Sequence, residues 1–136
     1  MSASPQSAPS PTIVVVDDDA AVLNALGFAL EAEGFRVRRF RSAGDLFAAR
    51  EIEDAACLVI DQGLPDESGL DVLARLRGRG IETPAVLITT NPPRALHLQA
   101  SGLDTPVVEK PLLGDQLFGV IRGLIKPNGS MNAIEG

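Results

Sequence analysis

A chain of 136 residues, 45% hydrophobic and 22% charged, is long enough for one domain with a single core and too short for two. Its formal net charge of −6 argues against a basic nucleic-acid-binding surface, and a single cysteine, Cys57, excludes a disulfide framework and a cysteine-based zinc site. No apolar segment approaches the roughly 18 residues that a membrane span needs, and the N-terminus lacks a signal-peptide pattern, so we expect a cytoplasmic protein without membrane contact.

The two ends of the chain hold few residues that a core would bury. Residues 1–11 are rich in Ser, Pro and Ala, and residues 127–136 read PNGSMNAIEG. Both compositions are typical of loose tails. We therefore expect one folded domain at residues 12–126, between a disordered N-terminal tail and a flexible C-terminal tail.

Strand and helix patterns alternate along the folded part. Residues 13–16 and 55–60 are continuous apolar runs typical of buried strands, whereas residues 35–40 alternate apolar with basic side chains, as in a strand near a sheet edge. Asp19 and Ser42 are of types that cap helices. The five predicted strands lie at residues 13–16, 35–40, 55–60, 84–88 and 105–108. The predicted helices alternate with them: between Asp19 and Gly34, from Ser42 to Arg50, around Leu70–Leu76 with its end at Gly78 or Gly80, at 94–100 as a short helix, and around Leu117–Leu124.

Five successive β-α units predict a doubly wound α/β fold, in which a parallel sheet carries helices on both faces. In such sheets, ligands bind beyond the carboxyl ends of the strands, at the point where the strand order reverses. The residues predicted at those ends are the carboxylates of Asp17, Asp18, Asp19 and Asp61, the hydroxyl of Thr89 and the ammonium of Lys110.

Asp61 is the candidate nucleophile or phosphoryl acceptor of this edge. The loop behind it, at residues 63–69, holds two glycines and a proline, which suit a chain that folds back and leaves the carboxylate open. Crowded carboxylates with a backbone carbonyl suit Mg²⁺, completed by a phosphate oxygen. Phosphoryl transfer needs charge stabilisation, which the Thr89 hydroxyl and the Lys110 ammonium can supply. Taken singly, each of these residues also fits a plain role as a helix cap, a strand end or a surface lysine.

Four segments together match the pattern of one protein family. They are VVVDDD at 14–19, VIDQGLPDESGLDVL at 59–73, PAVLITT at 84–90 and VVEKP at 107–111. As an ordered set they resemble the receiver domain of two-component response regulators, over about residues 12–126. The resemblance implies a flavodoxin-like (βα)5 fold with strand order 2-1-3-4-5. It also implies a signalling function, in which a histidine kinase or a phosphotransfer protein donates a phosphoryl group and an output surface switches, rather than enzymatic turnover of a substrate.

The resemblance assigns a role to each residue of the acidic edge. Asp61 corresponds to the phosphoacceptor and to one Mg²⁺ ligand. Asp17 and Asp18 correspond to the family's acidic pair, with Asp18 as the direct ligand and Asp17 acting through water. Gly63 would offer its backbone carbonyl to the metal. Thr89 corresponds to the switch hydroxyl, and Lys110 to the lysine that pairs with phosphate and precedes a cis bond to Pro111.

The same resemblance points to partners beyond the kinase. FRSAGDLFA at 40–48 is similar to the branch of the family that often carries a C-terminal helix-turn-helix DNA-binding domain. A downstream output, either a separate protein or a DNA-binding domain outside this chain, is therefore expected. A phosphorylation-dependent homodimer is a further expectation.

Three positions depart from the family pattern. Val107 stands where the family usually has a Tyr or Phe that swings inward when the threonine moves, and the chain has no Tyr or Trp. Residues 91–93 read Asn-Pro-Pro, which stiffens the loop after the switch threonine. Thr90 replaces the usual Ala or Gly and narrows access to the phosphoryl group.

Two other functions remain open at this point. One is a receiver-like interaction module that signals without phosphate, which Val107 and the double proline favour. The other is an aspartate-nucleophile phosphatase of the haloacid dehalogenase type. Such phosphatases carry Asp-x-Asp-x-Thr after the first strand, whereas residues 17–21 of this chain place Ala where the Thr belongs.

Overall fold

Five strands alternate with five α-helices in the computed structural model, which describes residues 10–112 and 115–125. The elements are β1 Thr12–Val16, α1 Ala20–Ala32, β2 Arg36–Phe40, α2 Ala43–Ala48, β3 Cys57–Asp61, α3 Gly69–Gly78, β4 Ala85–Thr89, α4 Arg94–Ser101, β5 Val107–Glu109 and α5 Gln116–Ile125. The predicted succession of β-α units is confirmed. The predicted tails lie outside the described residues, except for Ser10 and Pro11. Each described helix is too short or too polar to cross a membrane.

The strands form one parallel sheet in the order β2-β1-β3-β4-β5, as predicted. The chain leaves β1 toward β2 and then crosses back to β3, so the strand order reverses between β1 and β3. This reversal opens a crevice beyond their carboxyl ends. Val16 pairs with Ile60, and Asp61 pairs with Ile88, so the chain segments that follow β1, β3 and β4 all emerge at this edge.

Alternate residues of the strands build the core on the two faces of the sheet. On one face Val14, Val16, Leu58 and Ile60 pack with side chains of α2, α3 and α4, such as Leu46 and Leu73. On the other face the intervening residues, Ile13, Val15, Cys57 and Val59, pack with Leu30 of α1 and Ile121 of α5. Burial on both faces explains why β1 and β3 are apolar throughout.

The predicted caps are found where the sequence placed them. The Asp19 carboxylate accepts hydrogen bonds from the amides of Ala21 and Val22 at the start of α1, and Ser42 accepts from the Asp45 amide at the start of α2. Gly34 has φ +100°, the left-handed conformation that ends α1.

Two strands begin two residues later than predicted, and the other strand boundaries agree within one residue. The predicted strand at 55–60 begins only at Cys57, because the preceding segment forms a 3₁₀ turn at Ile52–Asp54 that buries Ile52 against the core. The predicted strand at 105–108 is found at Val107–Glu109. Pro106 has no amide hydrogen to donate to a strand ladder, and the hydroxyl of Thr105 donates to the Leu103 carbonyl instead.

Candidate functional site

The three consecutive aspartates after β1 have different environments. Asp17 is completely buried, and its Oδ1 accepts a hydrogen bond of 2.9 Å from the Asp19 amide. Asp18 is exposed at the mouth of the crevice. Asp19 caps α1. The run therefore separates into one buried carboxylate, one accessible carboxylate and one structural cap.

Asp61 is the last residue of β3, and only 6% of its surface is exposed. Its Oδ2 lies 3.7 Å from the place where a Cβ of residue 63 would stand, an ordinary contact distance, so Gly63 adjoins this oxygen but is not required by it. Gly69 allows a closer approach, since a Cβ there would lie 2.5 Å from the Asp61 carbonyl oxygen. Glycine at position 69 therefore lets the loop fold tightly behind the carboxylate.

Lys110 joins the two buried carboxylates. Its Nζ lies 2.9 Å from Asp61 Oδ1 and 3.1 Å from Asp17 Oδ2. Its amide donates a hydrogen bond of 2.7 Å to the Thr89 carbonyl, which fixes the chain where β5 ends. The peptide bond from Lys110 to Pro111 is cis.

Asp17, Asp18 and Asp61 can each offer one carboxylate oxygen to a common centre, with these oxygens within 4.8 Å of one another. With Lys110 as the counter-ion, this acidic site (Asp17, Asp18, Asp61 and Lys110) keeps an excess of two negative charges. Hard oxygen ligands and uncompensated negative charge suit Mg²⁺, which binds through a few carboxylates and retains waters. The donor set therefore fits that ion.

Electrostatic strain at the site falls mainly on Asp61. Burial raises the pKa of its carboxyl group; the hydrogen bond from Lys110 opposes this, and the charges of Asp17 and Asp18 add to the rise. For Lys110, burial alone would lower the pKa, but the hydrogen bonds to Asp61 and Asp17 outweigh it and raise the pKa. The shift of Asp61 thus reflects mainly its burial, and the shift of Lys110 reflects its two carboxylate partners.

The acceptor loop, residues 62–68, is closed on itself. Gly63 and Ser68 form an antiparallel bridge, and the Gly69 amide donates to the Gln62 carbonyl at 3.0 Å. The side-chain Oε1 of Gln62 accepts from the Leu70 amide at 2.8 Å, in the first turn of α3. These bonds hold the segment that carries the Gly63 carbonyl next to Asp61.

Thr89 ends β4 at the same edge of the sheet. It is half-buried, and the register pairs the preceding residue, Ile88, with Asp61. Thr90 is exposed, and Asn91 has φ +49°, a left-handed conformation that turns the chain toward α4. All the residues that the sequence predicted for the site therefore lie at the carboxyl edge of the sheet.

The sequence model of the response regulator receiver domain family matches residues 13–122 of this chain. The chain belongs to this family. Response regulator TmoT of Ectopseudomonas mendocina is 33% identical over 117 residues, covering 84% of this chain and 52% of that protein. Transcriptional regulatory protein FixJ of Azorhizobium caulinodans is 32% identical over 119 residues, covering 87% and 55%. The chain thus spans about half the length of these relatives.

Solved structures agree with the receiver fold. A CheY-like receiver domain from Methanospirillum hungatei has a TM-score of 0.81 at 23% identity, covering 89% of this chain and 98% of that one. The non-phosphorylated HemR receiver domain from Leptospira biflexa has a TM-score of 0.79 at 20% identity, covering 86% and 95%. At these identities the likeness shows the fold alone. The family match makes this chain a response regulator receiver domain, and neither the phosphatase nor the phosphate-independent module is favoured.

Val107 of this receiver is half-buried beside the core and pairs with Leu87 of β4. A polar cleft of about 360 Å³ lies next to it, between α4 and β5. His97 and Ser101 of α4 and Thr105 contribute to the lining of this cleft. The position where an aromatic side chain was expected from the resemblance therefore holds a small apolar one.

Sequence reasoning missed three residues that hold the loops of this receiver. Gln62 caps α3 from the acceptor loop. Arg41 donates to the Asp18 carbonyl, and Asp66 accepts from the first amides of α2; each of these bonds joins segments at least 22 residues apart. No local pattern identifies such partners, because a charged residue after a strand or in a loop has the same appearance as an ordinary surface charge.

Proposed function

We propose that this receiver accepts a phosphoryl group on the carboxylate of Asp61, with Mg²⁺ held by Asp17, Asp18, Asp61 and the backbone carbonyl of Gly63. The observation that carries the proposal is the juxtaposition of three carboxylates within 4.8 Å with the Lys110 ammonium 2.9 Å from the acceptor. When bound, Mg²⁺ would neutralise the carboxylates and the incoming phosphoryl oxygens together. Asp18 is the ligand that solvent reaches, and Asp17 is the buried one.

The donor in this proposal is a phosphohistidine of a histidine kinase or of a phosphotransfer protein. An oxygen of Asp61 attacks the phosphorus and forms a P–O bond, while the P–N bond to the donor breaks and the imidazole nitrogen keeps the bonding electron pair. The protein needs mainly to position the reactants and to stabilise charge, as is usual in phosphoryl transfer. Lys110 already faces Asp61 and would pair with a phosphoryl oxygen.

Thr89 is the proposed switch residue. Its place at the end of β4, beside the strand that carries Asp61, lets its hydroxyl donate to a phosphoryl oxygen after a short movement. The same strand end leads through Asn91 into α4, so a shift at Thr89 would be transmitted to the surface of α4 and β5. With Val107 in the aromatic position, this transmission would run through the backbone and α4 rather than through an aromatic rotamer.

The output and the bounds of the domain are also proposals. FixJ, one relative that this chain half covers, is named a transcriptional regulatory protein, which supports a DNA-binding output linked to this receiver. We assign the receiver to residues 12–126, a range that contains the family match at 13–122. A phosphorylation-dependent homodimer would be detected by light scattering of the phosphorylated and unphosphorylated forms.

Intact-mass measurement tests the proposal directly. The chain is incubated with a small acyl phosphate and Mg²⁺, and the expected product carries the mass of one phosphoryl group. Asp61→Asn should gain none, and a chelator should suppress the gain in wild type. Asp71→Asn, which changes an exposed carboxylate on α3, is the matched control and should react like wild type. Equal phosphorylation of wild type and Asp61→Asn would disprove the assignment.

A further inference from the structure

The segment that leads from β2 into α2, residues 41–44, consists of Arg41, Ser42 and the first two residues of α2, and we call it the β2–α2 turn. It contacts both of the loops that carry the acidic site. On one side the Arg41 guanidinium (Nη2) donates a hydrogen bond of 3.1 Å to the backbone carbonyl of Asp18. On the other side the amides of Ala43 and Gly44 donate to the two oxygens of Asp66, at 3.1 and 2.9 Å. Asp66 belongs to the acceptor loop, so one short turn joins the loop after β1 to the loop after β3.

We propose that the β2–α2 turn is a positioning element of the metal site, with Arg41 and Asp66 as its two positioning residues. The inference rests on the proposed Mg²⁺ site. In this arrangement Arg41 sets the orientation of Asp18, and Asp66 sets the position of the acceptor loop that carries Gly63. Neither residue is a metal ligand itself.

The Asp18 backbone is held from two directions. The residues on either side of Asp18 are linked, because the Asp19 amide donates a hydrogen bond to the buried Asp17 carboxylate. The Asp18 carbonyl itself accepts a hydrogen bond from Arg41. The Asp18 side chain is exposed and can rotate, so its direction depends on how firmly the backbone is held. Groups that orient metal ligands in this way contribute to metal affinity although they do not touch the ion.

Asp66 holds the acceptor loop in an analogous way. The loop is closed by the Gly63–Ser68 bridge, but that bridge does not attach it to its surroundings. Asp66 attaches the loop to the start of α2 through both carboxylate oxygens, while Glu67 attaches it to Arg75 of α3. The hydrogen bonds from Gly44 and Ala43 also lower the pKa of the Asp66 carboxyl group, which shows that they favour its ionised form.

Because Arg41 is positively charged, the direction in which its removal changes the Mg²⁺ affinity is informative. A guanidinium near a cation site repels the cation, so charge alone predicts that removal of Arg41 strengthens Mg²⁺ binding. A positioning role predicts the opposite, because Asp18 loses its orientation. The direction of the change in affinity therefore separates the two effects.

The experiment measures the dissociation constant for Mg²⁺ by titration of amide chemical shifts. The variants are Arg41→Met, which removes the donor, Arg41→Lys, which restores a cationic donor, and Asp66→Asn, which retains only one acceptor oxygen. Arg36→Met is the matched control for lost positive charge, since Arg36 is exposed and lies at the opposite end of β2. Asp71→Asn is the control for lost negative charge, since Asp71 is exposed at the start of α3, just after the acceptor loop. Circular dichroism confirms that each variant is folded.

We expect Arg41→Met and Asp66→Asn each to weaken Mg²⁺ binding on the order of 10-fold. The two controls should stay near wild type, and Arg41→Lys should recover part of the affinity. Unchanged or tighter binding by Arg41→Met, or weakening by only one of the two positioning variants, would overturn the inference while leaving the metal site itself intact. If wild type bound no Mg²⁺, the proposed function would fail and the inference with it.

Discussion

Lys110 and Asp61 form an ion pair of 2.9 Å across the carboxyl end of β4. Strand β4 lies between β3, whose last residue is Asp61, and β5, which Lys110 directly follows. The same ammonium lies 3.1 Å from Asp17. Lys110 is thus the only cation among the described residues that the structure places within an ion-pair distance of the acidic site. It therefore compensates part of the negative charge of the two buried carboxylates.

Removal of Lys110 should make the stability of the fold depend more on Mg²⁺. In Lys110→Met, the buried Asp17 and Asp61 lose their shared counter-ion, and we expect the free energy of unfolding without metal to fall by about 1–3 kcal/mol. Saturating Mg²⁺ should restore more stability to the variant than it adds to wild type. Urea unfolding followed by circular dichroism, with and without Mg²⁺, checks this; equal stabilisation of both proteins would contradict it.

Gly69 is required by the backbone of the acceptor itself. A Cβ at this position would lie 2.5 Å from the Asp61 carbonyl and 3.0 Å from Gln62 Cα, so Gly69→Ala must displace Asp61. We expect a loss of about 1–3 kcal/mol in unfolding free energy and slower phosphorylation. Gly119→Ala in α5 is the control: no described atom stands within 4 Å of its new Cβ, so it should stabilise by about 0.5–1 kcal/mol. Equal effects of the two substitutions would be inconsistent with a steric role for Gly69.

Much of the fold followed from local patterns in the sequence. The apolar runs of β1 and β3 are buried on both faces, so their composition alone predicts central strands. Once the strands are parallel, their carboxyl ends must share an edge, and the residues that follow them must meet there. This is why Asp17, Asp61 and Lys110 could be grouped although the pair Asp17–Lys110 is separated by 93 positions.

The features of the fold and the site that were not predicted depend on contacts between residues far apart in the sequence, which leave no local pattern. Asp66 caps a helix that begins 23 positions earlier, and Arg41 bonds to a carbonyl 23 positions before it. The burial of Ile52 in a 3₁₀ turn likewise results from tertiary packing and not from the periodicity of its segment. The cap role of Asp19 was predicted from its position, whereas metal-ligand roles for Asp17 and Asp18 are implied only by the resemblance. The different burial of these aspartates appears only in the folded chain.

Thr90 should limit access to Asp61. It directly follows the proposed switch threonine at the carboxyl edge of the sheet, and it is exposed. Thr90→Ala removes a hydroxyl and a methyl group from this approach, so phosphorylation by a small acyl phosphate and hydrolysis of the aspartyl phosphate should both become faster. Thr90→Ser should give intermediate rates. Time courses of intact mass measure both reactions, and identical rates in all three proteins would exclude a steric role.

Cys57 should make the fold less stable at alkaline pH. Burial raises the pKa of its thiol to about 12, whereas an exposed thiol in the unfolded chain ionises near 8.5. Between these values the unfolded state has lost the proton that the folded state keeps, so stability falls by about 1.4 kcal/mol per pH unit. From pH 7 to pH 10, wild type should therefore lose about 2 kcal/mol more than Cys57→Ala does, whatever the substitution costs at pH 7. The chain has no Tyr or Trp, so circular dichroism must report the urea unfolding, and no tyrosine ionisation competes with the thiol. Equal alkaline losses in the two proteins would show that the thiol is accessible to solvent in the folded chain.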